Sequence, residues 1–274
     1  MHIFVIFKIV IYYDTGKHYG QKNFFKKAAI RLVLLILIPA GFVGFLYLPK
    51  FRLKNIVIAE NSFLKDSARI KMALREKIYW ILPSDNFFLF GKKSAAEKIL
   101  KDFPAIKSVN FDRRFPNTLF VNFEERKPAA LWCLSDVESR ISETGDRNCY
   151  FIDEGGFAFK IFEGGASDFS LKFLSLTGGK VKAGDFVIKK ELLRNFLEFS
   201  QNVKNYFQLE TIRIILTDNY KIYFQEEWYA LLDEETNFKT AFENMKLVLE
   251  NQIKDKRAEL EYIDLRFSNK VFFK

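Results

Sequence analysis

The sequence predicts an α+β protein with a single transmembrane helix near its N-terminus. Residues 32–48 form an uncharged apolar run, residues 51–126 read as strand, helix, helix, strand, strand, and residues 127–274 read as short strands with two helices. Apolar residues that recur every three or four positions indicate helices, whereas strict alternation indicates strands. The predicted organisation is a cytoplasmic segment 1–27, a transmembrane helix 28–48, a small domain 51–126 and a mainly antiparallel β-domain 127–274.

Composition limits the chemistry that this chain can perform. Of its 274 residues, 43 are basic and 34 are acidic, but nine of the basic residues and one acidic residue lie within residues 1–55. The rest of the chain is therefore nearly neutral and lacks the excess positive field on which nucleic-acid binding depends. Its two histidines are His2 and His18, so both domains lack the imidazole of a nucleophile triad or a histidine zinc site. We predict no catalytic, cofactor-binding or metal-binding residue.

The apolar run has the length of a membrane-spanning helix. It reads LVLLILIPAGFVGFLYL, and residues 28–30 extend it past Arg31 to roughly 20 residues, which crosses a ~30 Å hydrocarbon core. Because no small-residue cleavage site follows, an uncleaved anchor is favoured over a signal peptide. The slight excess of basic residues before the run favours a cytoplasmic N-terminus and domains outside the cytoplasmic membrane. Residues 3–13 are apolar but too short to span, which fits an interfacial segment or an over-extended reading frame.

The first domain opens with a strand and two helices. The strand-like run 51–59 precedes a helix predicted over 66–80, because its apolar residues fall on one face. A second helix is predicted to open at Ser94 with Glu97 three residues later, a capping-box pattern. The pair Phe103-Pro104 closes this helix, since proline restricts the residue before it.

A hairpin completes the first domain. Apolar and polar residues alternate around 109–112 and again over 119–124, which predicts two strands. Between them, residues 113–118 have the composition of a turn, because Pro116 fixes φ and Asn117 tolerates a tight turn. Two helices would then cover one face of a three-stranded sheet.

The β-domain 127–274, which we call the outer domain, begins as a hairpin that contains both cysteines. Apolar runs at 129–133 and 149–153 are joined by a polar stretch, and a Gly-rich turn at 153–156 leads into the strand 157–162. If Cys133 and Cys149 face each other, an exterior location permits a disulfide, and free buried thiols are the alternative.

The remainder of the outer domain alternates between strands and two amphipathic helices. The helices are predicted over 191–207 and 238–253 from their apolar faces. The predicted strands are 212–216, 222–224, 226–233, 260–267 and 271–274.

The hairpin and the segment after it resemble a known family. Residues 106–132 read IKSVNFDRRFPNTLFVNFEERKPAALW, which is similar to the R-R-x-P-N-T-L-x-V-x-x-x-E-R-x-P pattern of the bacterial cell-division family FtsQ/DivIB. In that family the pattern ends a POTRA domain and starts the next one. CYFIDEGGFAF and YIDLRFSN resemble two further family segments, whereas 163–257 match only in pattern. We predict mainly structural roles for the motif residues Arg113, Arg114, Pro116, Asn117, Glu125, Arg126 and Pro128.

The resemblance implies a non-enzymatic divisome scaffold at the division septum. Such a subunit joins FtsB- and FtsL-type coiled-coil proteins to septal cell-wall synthesis, without a cofactor. A final strand with unpaired backbone groups can accept a partner strand by β-augmentation. The structural alternative is that Val271 and Phe272 belong to the core. The partner-binding positions implied by the resemblance are Phe267, Ser268, Asn269, Lys270, Val271 and Phe272.

Two other functions remain as alternatives. A membrane-anchored envelope enzyme, such as a lytic transglycosylase, would use carboxylates, and one of them would need an apolar pocket. A POTRA-type membrane-assembly chaperone would need tandem repeats and a following barrel of alternating segments, whereas this sequence contains one β-α-α-β-β unit. The candidate carboxylates for the enzyme are Glu124, Glu125, Glu226, Glu227, Asp233, Glu234 and Glu235.

Overall fold

The computed structural model divides the chain into two compact units. Unit 1 comprises Met1–Asn55, Arg75–Phe90 and Arg113–Leu119, and unit 2 comprises Ile56–Leu74, Gly91–Asp112 and Phe120–Lys274. The segment 1–20 and nearly all of the predicted helix 66–80 lie outside the described residues. The residues that the structure describes are 21–58, 70, 72, 74, 86–134, 149–163, 171–176 and 180–274.

Unit 1 begins with the long helix α1, Gln21–Leu46. Within it, Lys27–Leu46 is long and apolar enough to cross a membrane by length and composition. Large apolar side chains along this stretch are exposed, and Leu35 reaches 75%. A helix that is apolar all round suits a lipid environment better than water. A short 3₁₀ turn, Pro49–Phe51, follows the helix.

The first domain contains a three-stranded sheet in the order β1-β3-β2. Its strands are β1 (Asn55–Ile58), β2 (Ile106–Arg114) and β3 (Thr118–Glu125). The predicted hairpin is thus confirmed, with a turn at residues 115–117. Helix α2, Lys92–Asp102, precedes β2 and contributes buried Ile99.

The predicted start of this helix at Ser94 is wrong. The N-cap is Gly91, whose carbonyl already accepts a hydrogen bond from the Ala95 amide at 3.0 Å. The helix therefore begins at Lys92 without a side-chain cap. The predicted end at Phe103 is right, since its amide donates to the Ile99 carbonyl.

The outer domain forms one nine-stranded mixed sheet in the order β12-β11-β10-β9-β8-β7-β4-β5-β6. Five of its pairings are antiparallel, while β4–β7, β7–β8 and β10–β11 are parallel. The strands are β4 (Ala130–Leu134), β5 (Cys149–Ile152), β6 (Ala158–Ile161), β7 (Lys172–Ser175), β8 (Thr211–Leu216), β9 (Tyr220–Phe224), β10 (Tyr229–Leu232), β11 (Tyr262–Asp264) and β12 (Phe272–Phe273).

Two helices provide crossovers for two of the parallel pairings. Helix α3, Lys190–Phe207, connects β7 to β8, and helix α4, Phe238–Val248, lies between β10 and β11. Helix α4 continues as a π-helical turn, Leu249–Ile253, so the predicted single helix 238–253 changes its hydrogen-bond pattern near its end. Parallel strands require such long connections, which is why the helices and the parallel pairs occur together.

The main core joins the nine-stranded sheet to helices α3 and α4. Phe196 and Phe199 of α3 are at most 2% exposed, and the ring of Phe196 lies 5.5 Å from that of Phe173 in β7. The same core includes Ile263 and Leu265, both at most 1% exposed, beside the last strand pair. Burial of these two side chains, each contributing about 2 kcal/mol, holds β11 in place and so positions the C-terminal edge.

Candidate functional site

The C-terminal strand β12 lies at one edge of the nine-stranded sheet. It pairs with β11 in an antiparallel register that sets Ile263 opposite Phe273. The adjacent pair, Tyr262 and Lys274, exchanges both backbone hydrogen bonds, at 3.3 and 3.2 Å. Because hydrogen-bonded and non-hydrogen-bonded pairs alternate, the amide and carbonyl of Phe273 point away from β11. The edge thus presents backbone groups to which a further strand could pair.

The six predicted partner-binding residues surround the turn before this strand. Phe267 and Phe272 are 46% and 52% exposed, and their rings meet edge to face at 5.7 Å. Ser268, Asn269 and Lys270 are also exposed, whereas the half-buried Val271 packs against the main core. The alternative that both Val271 and Phe272 belong to the core therefore holds for Val271 but not for Phe272.

Contacts from neighbouring elements hold this turn and strand. The Asn244 side chain on α4 donates to the Ser268 carbonyl at 3.0 Å. At the chain end, Lys274 Nζ lies 2.8 Å from Glu261 Oε2, and this hydrogen bond raises the pKa of Lys274. The sequence did not indicate Asn244, Glu261 or Lys274, because these residues lie outside the segments that resemble the family and their partners are distant in the sequence.

An Asp–Arg pair lies directly behind the edge, within the YIDLRF segment. Asp264 is 6% exposed, and both its carboxylate oxygens accept from the Arg266 guanidinium, at 2.6 and 2.9 Å. The Arg266 Nη1 also donates to the Asn219 side chain at 3.3 Å. Burial alone would raise the pKa of Asp264, but the hydrogen bonds from Arg266 outweigh it and lower that pKa.

A second, partly buried ion pair joins Glu226 to Arg257. Arg257 donates Nε and Nη2 to the two carboxylate oxygens of Glu226, at 2.8 and 2.5 Å. These hydrogen bonds, opposed by burial and assisted by the Trp228 indole, lower the pKa of Glu226. The two lowered carboxyl pKa values make the outer domain acid-sensitive by linkage.

Acidification is expected to destabilise the outer domain. A carboxyl group whose folded pKa is lowered stabilises the fold above its unfolded pKa, near 4, and loses that contribution as pH falls through the folded value. Thermal unfolding of the full chain in detergent micelles should therefore give similar midpoints at pH 7 and 6, with a marked decrease below pH about 4. Asp264→Asn should flatten this decrease, and an equally steep decrease in that variant would contradict the assignment.

Arg126 forms a separate polar centre in unit 2. Its Nη1 lies 2.5 Å from Asp153 Oδ2, its Nε donates to the Pro104 carbonyl at 3.1 Å, and its guanidinium lies 4.1 Å from the Phe157 ring centroid. Arg126 therefore pairs with Asp153 rather than with the adjacent Glu125. Glu125 Oε1 is buried without a hydrogen-bond partner.

Asp153 was not predicted as a partner for Arg126, although its segment resembles the family. Its Oδ1 accepts hydrogen bonds from the amides of Gly155 and Phe157, at 2.8 and 3.1 Å. The carboxylate thus shapes its own turn with one oxygen and binds Arg126 with the other. The one sequence feature that could have indicated this pair is the aspartate of the FIDEGG segment, which resembles the family.

The remaining motif residues surround the β2–β3 turn. Arg113 Nη1 donates to the Phe87 carbonyl at 2.9 Å, and the Asn117 carbonyl accepts from the Lys54 amide at 3.0 Å. Pro116 follows a cis peptide bond. Arg114 and Pro128 are exposed. These contacts give Arg113 and Asn117 a role in holding neighbouring segments of unit 1 together.

The two cysteines form a disulfide in the structure. Cys133 in β4 and Cys149 in β5 occupy opposite positions of the antiparallel pair and are bonded to each other. Both are nearly fully buried, beside Leu131, Leu174 and Ile215. The bridge joins β4 to β5 across a sequence separation of 16 residues.

Apart from the half-buried Glu125, the candidate carboxylates of the enzyme alternative take part in structural contacts or are exposed to solvent. Glu124 pairs with Lys107 on the surface, Glu226 pairs with Arg257, and Asp233 Oδ1 accepts from the Thr236 hydroxyl at 2.6 Å. Among the described residues, no group of three or more His, Cys, Asp or Glu side chains is placed to hold a metal ion.

One acid-lined pocket, of about 660 Å³, lies between α3 and the start of α4. Its apolar floor includes Phe199 and Phe242, but its acidic residues Glu198, Glu235 and Glu243 are exposed. A general acid needs a carboxyl group shielded in an apolar environment, which these exposed side chains lack.

Comparison with known proteins supports the resemblance found in the sequence. Residues 51–126 match the family described as POTRA domain, FtsQ-type. The chain is also 24% identical over 230 residues to the cell division protein FtsQ of Blochmanniella floridana, an alignment that covers 79% of this chain and 73% of that protein. Together with the motif around the β2–β3 turn, these two matches support the resemblance of the chain to the FtsQ/DivIB family of cell-division proteins.

Proposed function

We propose that this chain is a single-pass, non-enzymatic scaffold of the divisome. In this proposal residues 1–27 are cytoplasmic, residues 28–48 cross the cell membrane, and the domains 51–126 and 127–274 lie outside it at the division septum. The outer domain recruits FtsB/FtsL-type coiled-coil proteins and so links them to septal cell-wall synthesis. The FtsQ-type match and the apolar helix α1 support the anchored cell-division role.

The observation that carries the proposal is the outward-facing backbone of β12. This strand pairs with β11 on one side and, among the strands that the structure describes, ends the sheet on the other. A partner strand would pair with the outward amide and carbonyl of Phe273, as in other cases of β-augmentation. Each backbone hydrogen bond that the partner strand forms with these groups contributes about 1 kcal/mol to binding.

Exposed aromatic side chains beside the edge would add contact area. Phe267, Phe272 and Phe273 are each more than 40% exposed, although large rings usually stay buried. Aromatic anchors often supply most of an interface's binding energy. The turn, fixed from behind by Asn244 and by the Asp264–Arg266 pair, therefore presents these rings in a defined arrangement.

Proline at position 273 tests strand addition directly. Because the Phe273 amide faces away from β11, Phe273→Pro removes a donor to the partner and leaves the β11–β12 hydrogen bonds intact. Compared with Phe273→Ala, which keeps the amide, it should weaken binding of the FtsB/FtsL-type ectodomain from the same genome by about tenfold. Calorimetry with the full chain in detergent micelles measures this difference.

Two controls accompany this measurement. Phe267→Ala should also weaken binding, because it removes an exposed ring, and all variants should keep the thermal unfolding midpoint of the unmodified chain. Equal affinities for Phe273→Pro and Phe273→Ala would overturn pairing at this edge.

A further inference from the structure

Five phenylalanines form a cluster where the apolar helix ends. We call this cluster the collar: Phe45, Phe51, Phe87, Phe88 and Phe115. Phe45 lies in the last turn of α1, and its ring is 4.9 Å from that of Phe51 and 6.2 Å from that of Phe88. Phe115, in the β2–β3 turn, lies 6.1 Å from Phe51 and 5.7 Å from Phe87. All five belong to unit 1.

The collar is exposed although it is apolar. Phe88 and Phe115 are 50% and 65% exposed, and Phe45 is 42% exposed. The neighbouring Tyr47 and Leu48 are exposed to a similar degree. A contiguous apolar surface of this kind marks a contact with a membrane or a partner rather than with water.

Hydrogen bonds fix the collar to the end of the helix. Asn86 is fully buried, its Nδ2 donates to the Leu46 carbonyl at 2.6 Å, and its Oδ1 accepts from the Phe88 amide at 2.8 Å. The Phe87 amide donates to the Phe51 carbonyl at 2.8 Å, and Arg113 donates to the Phe87 carbonyl. The rings therefore have a defined position relative to the last turn of α1.

Within unit 1, the charges that the structure describes around the collar are all positive. After α1, the described residues of unit 1 include no aspartate or glutamate. Lys50 and Lys54 are exposed there on long aliphatic stems, which can lie along an apolar surface while the ammonium group stays in water. The basic side chains of this part of unit 1 are Lys50, Arg52, Lys54, Arg113 and Arg114.

We propose that the collar is a membrane-binding surface, which inserts its rings into the interface of the leaflet where α1 ends and binds anionic phospholipid through its basic residues. Aromatic belts lie at this depth of membrane proteins, and basic residues near an anionic membrane surface are attracted to it. A bilayer fits better than a protein partner, because Phe45 is continuous with the span and contacts Phe51 and Phe88 directly. The inference rests on the proposed membrane anchoring.

Bromolipid quenching of added tryptophans tests the collar. The full chain is reconstituted into phosphatidylcholine vesicles with and without phosphatidylglycerol, with bromine near the headgroup end of the acyl chains. In each variant we measure the emission that the added tryptophan contributes beyond that of the native tryptophans. This added emission should be quenched about threefold more for Phe88→Trp or Phe115→Trp than for Phe186→Trp. Phe186 is 75% exposed and belongs to unit 2. Phosphatidylglycerol should increase the quenching, and the double variant Lys50→Glu/Lys54→Glu should remove that increase.

A tryptophan in the span separates two ways in which the inference could fail. Phe42 lies in α1 and is 62% exposed, so Phe42→Trp should be quenched by bromine deep in the acyl chains if α1 spans the bilayer. Quenching at position 42 without quenching at 88 and 115 would overturn the collar alone and favour a soluble protein partner there. Absence of quenching at position 42 would overturn the anchor and the collar together.

Discussion

Replacing Gly156 by alanine is expected to destabilise the outer domain by about 3 kcal/mol. Gly156 has φ of 77° in the turn between β5 and β6, and an added Cβ would lie 2.1 Å from the carbonyl oxygen of Ile188. Neither segment can move away freely, because the Val187 amide donates to the Gly156 carbonyl and the Gly156 amide donates to the Asp153 carbonyl, both at 2.9 Å. Thermal unfolding of the full chain in detergent micelles, followed by circular dichroism, measures the loss.

Gly91→Ala is the matched control for this substitution. At Gly91 φ is −85°, and the nearest atom to an added Cβ is the Cβ of Ser94 at 3.8 Å. Alanine there meets ordinary van der Waals contact and should change the unfolding free energy by less than about 1 kcal/mol. If Gly156→Ala unfolded at the same temperature as Gly91→Ala, the close approach of the turn to Ile188 would be refuted.

Arg126→Ala is expected to cost about 2–3 kcal/mol of unfolding free energy. The Arg126 and Asp153 side chains are only 20% and 14% exposed, so removal of the guanidinium leaves a carboxylate largely shielded from water without its cation. The substitution also removes the hydrogen bond to the Pro104 carbonyl and the contact with the Phe157 ring. Urea unfolding of the full chain in micelles measures this cost.

An exposed ion pair between β2 and β3 provides the comparison. Lys107 and Glu124 lie 3.1 Å apart, but both side chains are more than half exposed, so Lys107→Ala should cost less than about 1 kcal/mol. The double variant Arg126→Ala/Asp153→Ala should cost less than the sum of its single variants, because it leaves no unpaired buried charge. An Arg126→Ala cost no greater than that of Lys107→Ala would show that Asp153 is adequately solvated without its partner.

The β2–β3 hairpin shows what local sequence can predict. Alternating apolar residues predicted both strands, and the proline-containing turn falls between them at residues 115–117. These features depend on consecutive residues, since the side-chain period of a strand and the backbone preferences of a turn are local properties. The apolar span is predictable for the same reason, because length and composition alone define it.

Pairings across the chain were harder to predict. Glu125 and Arg126 are adjacent and of opposite charge, but successive residues of an extended chain point to opposite faces, and Arg126 reaches Asp153 instead. The predicted helix start at Ser94 was wrong for a different reason. The helix begins at Lys92 with Gly91 as its N-cap, so Ser94 lies inside the first turn. The three parallel pairings likewise join strands that are far apart in the sequence, and no local pattern specifies which strands pair.

By itself, the sequence determined the apolar helix, the α+β class, most strands and the resemblance to FtsQ/DivIB, because each follows from residues close together in the chain. Only the tertiary structure decided that β12 ends the sheet and that Asn86 joins the end of α1 to the collar. Residues 46 and 86 lie 40 positions apart, and their contact depends on how buried side chains pack. Packing of this kind selects one arrangement among many with the same local pattern.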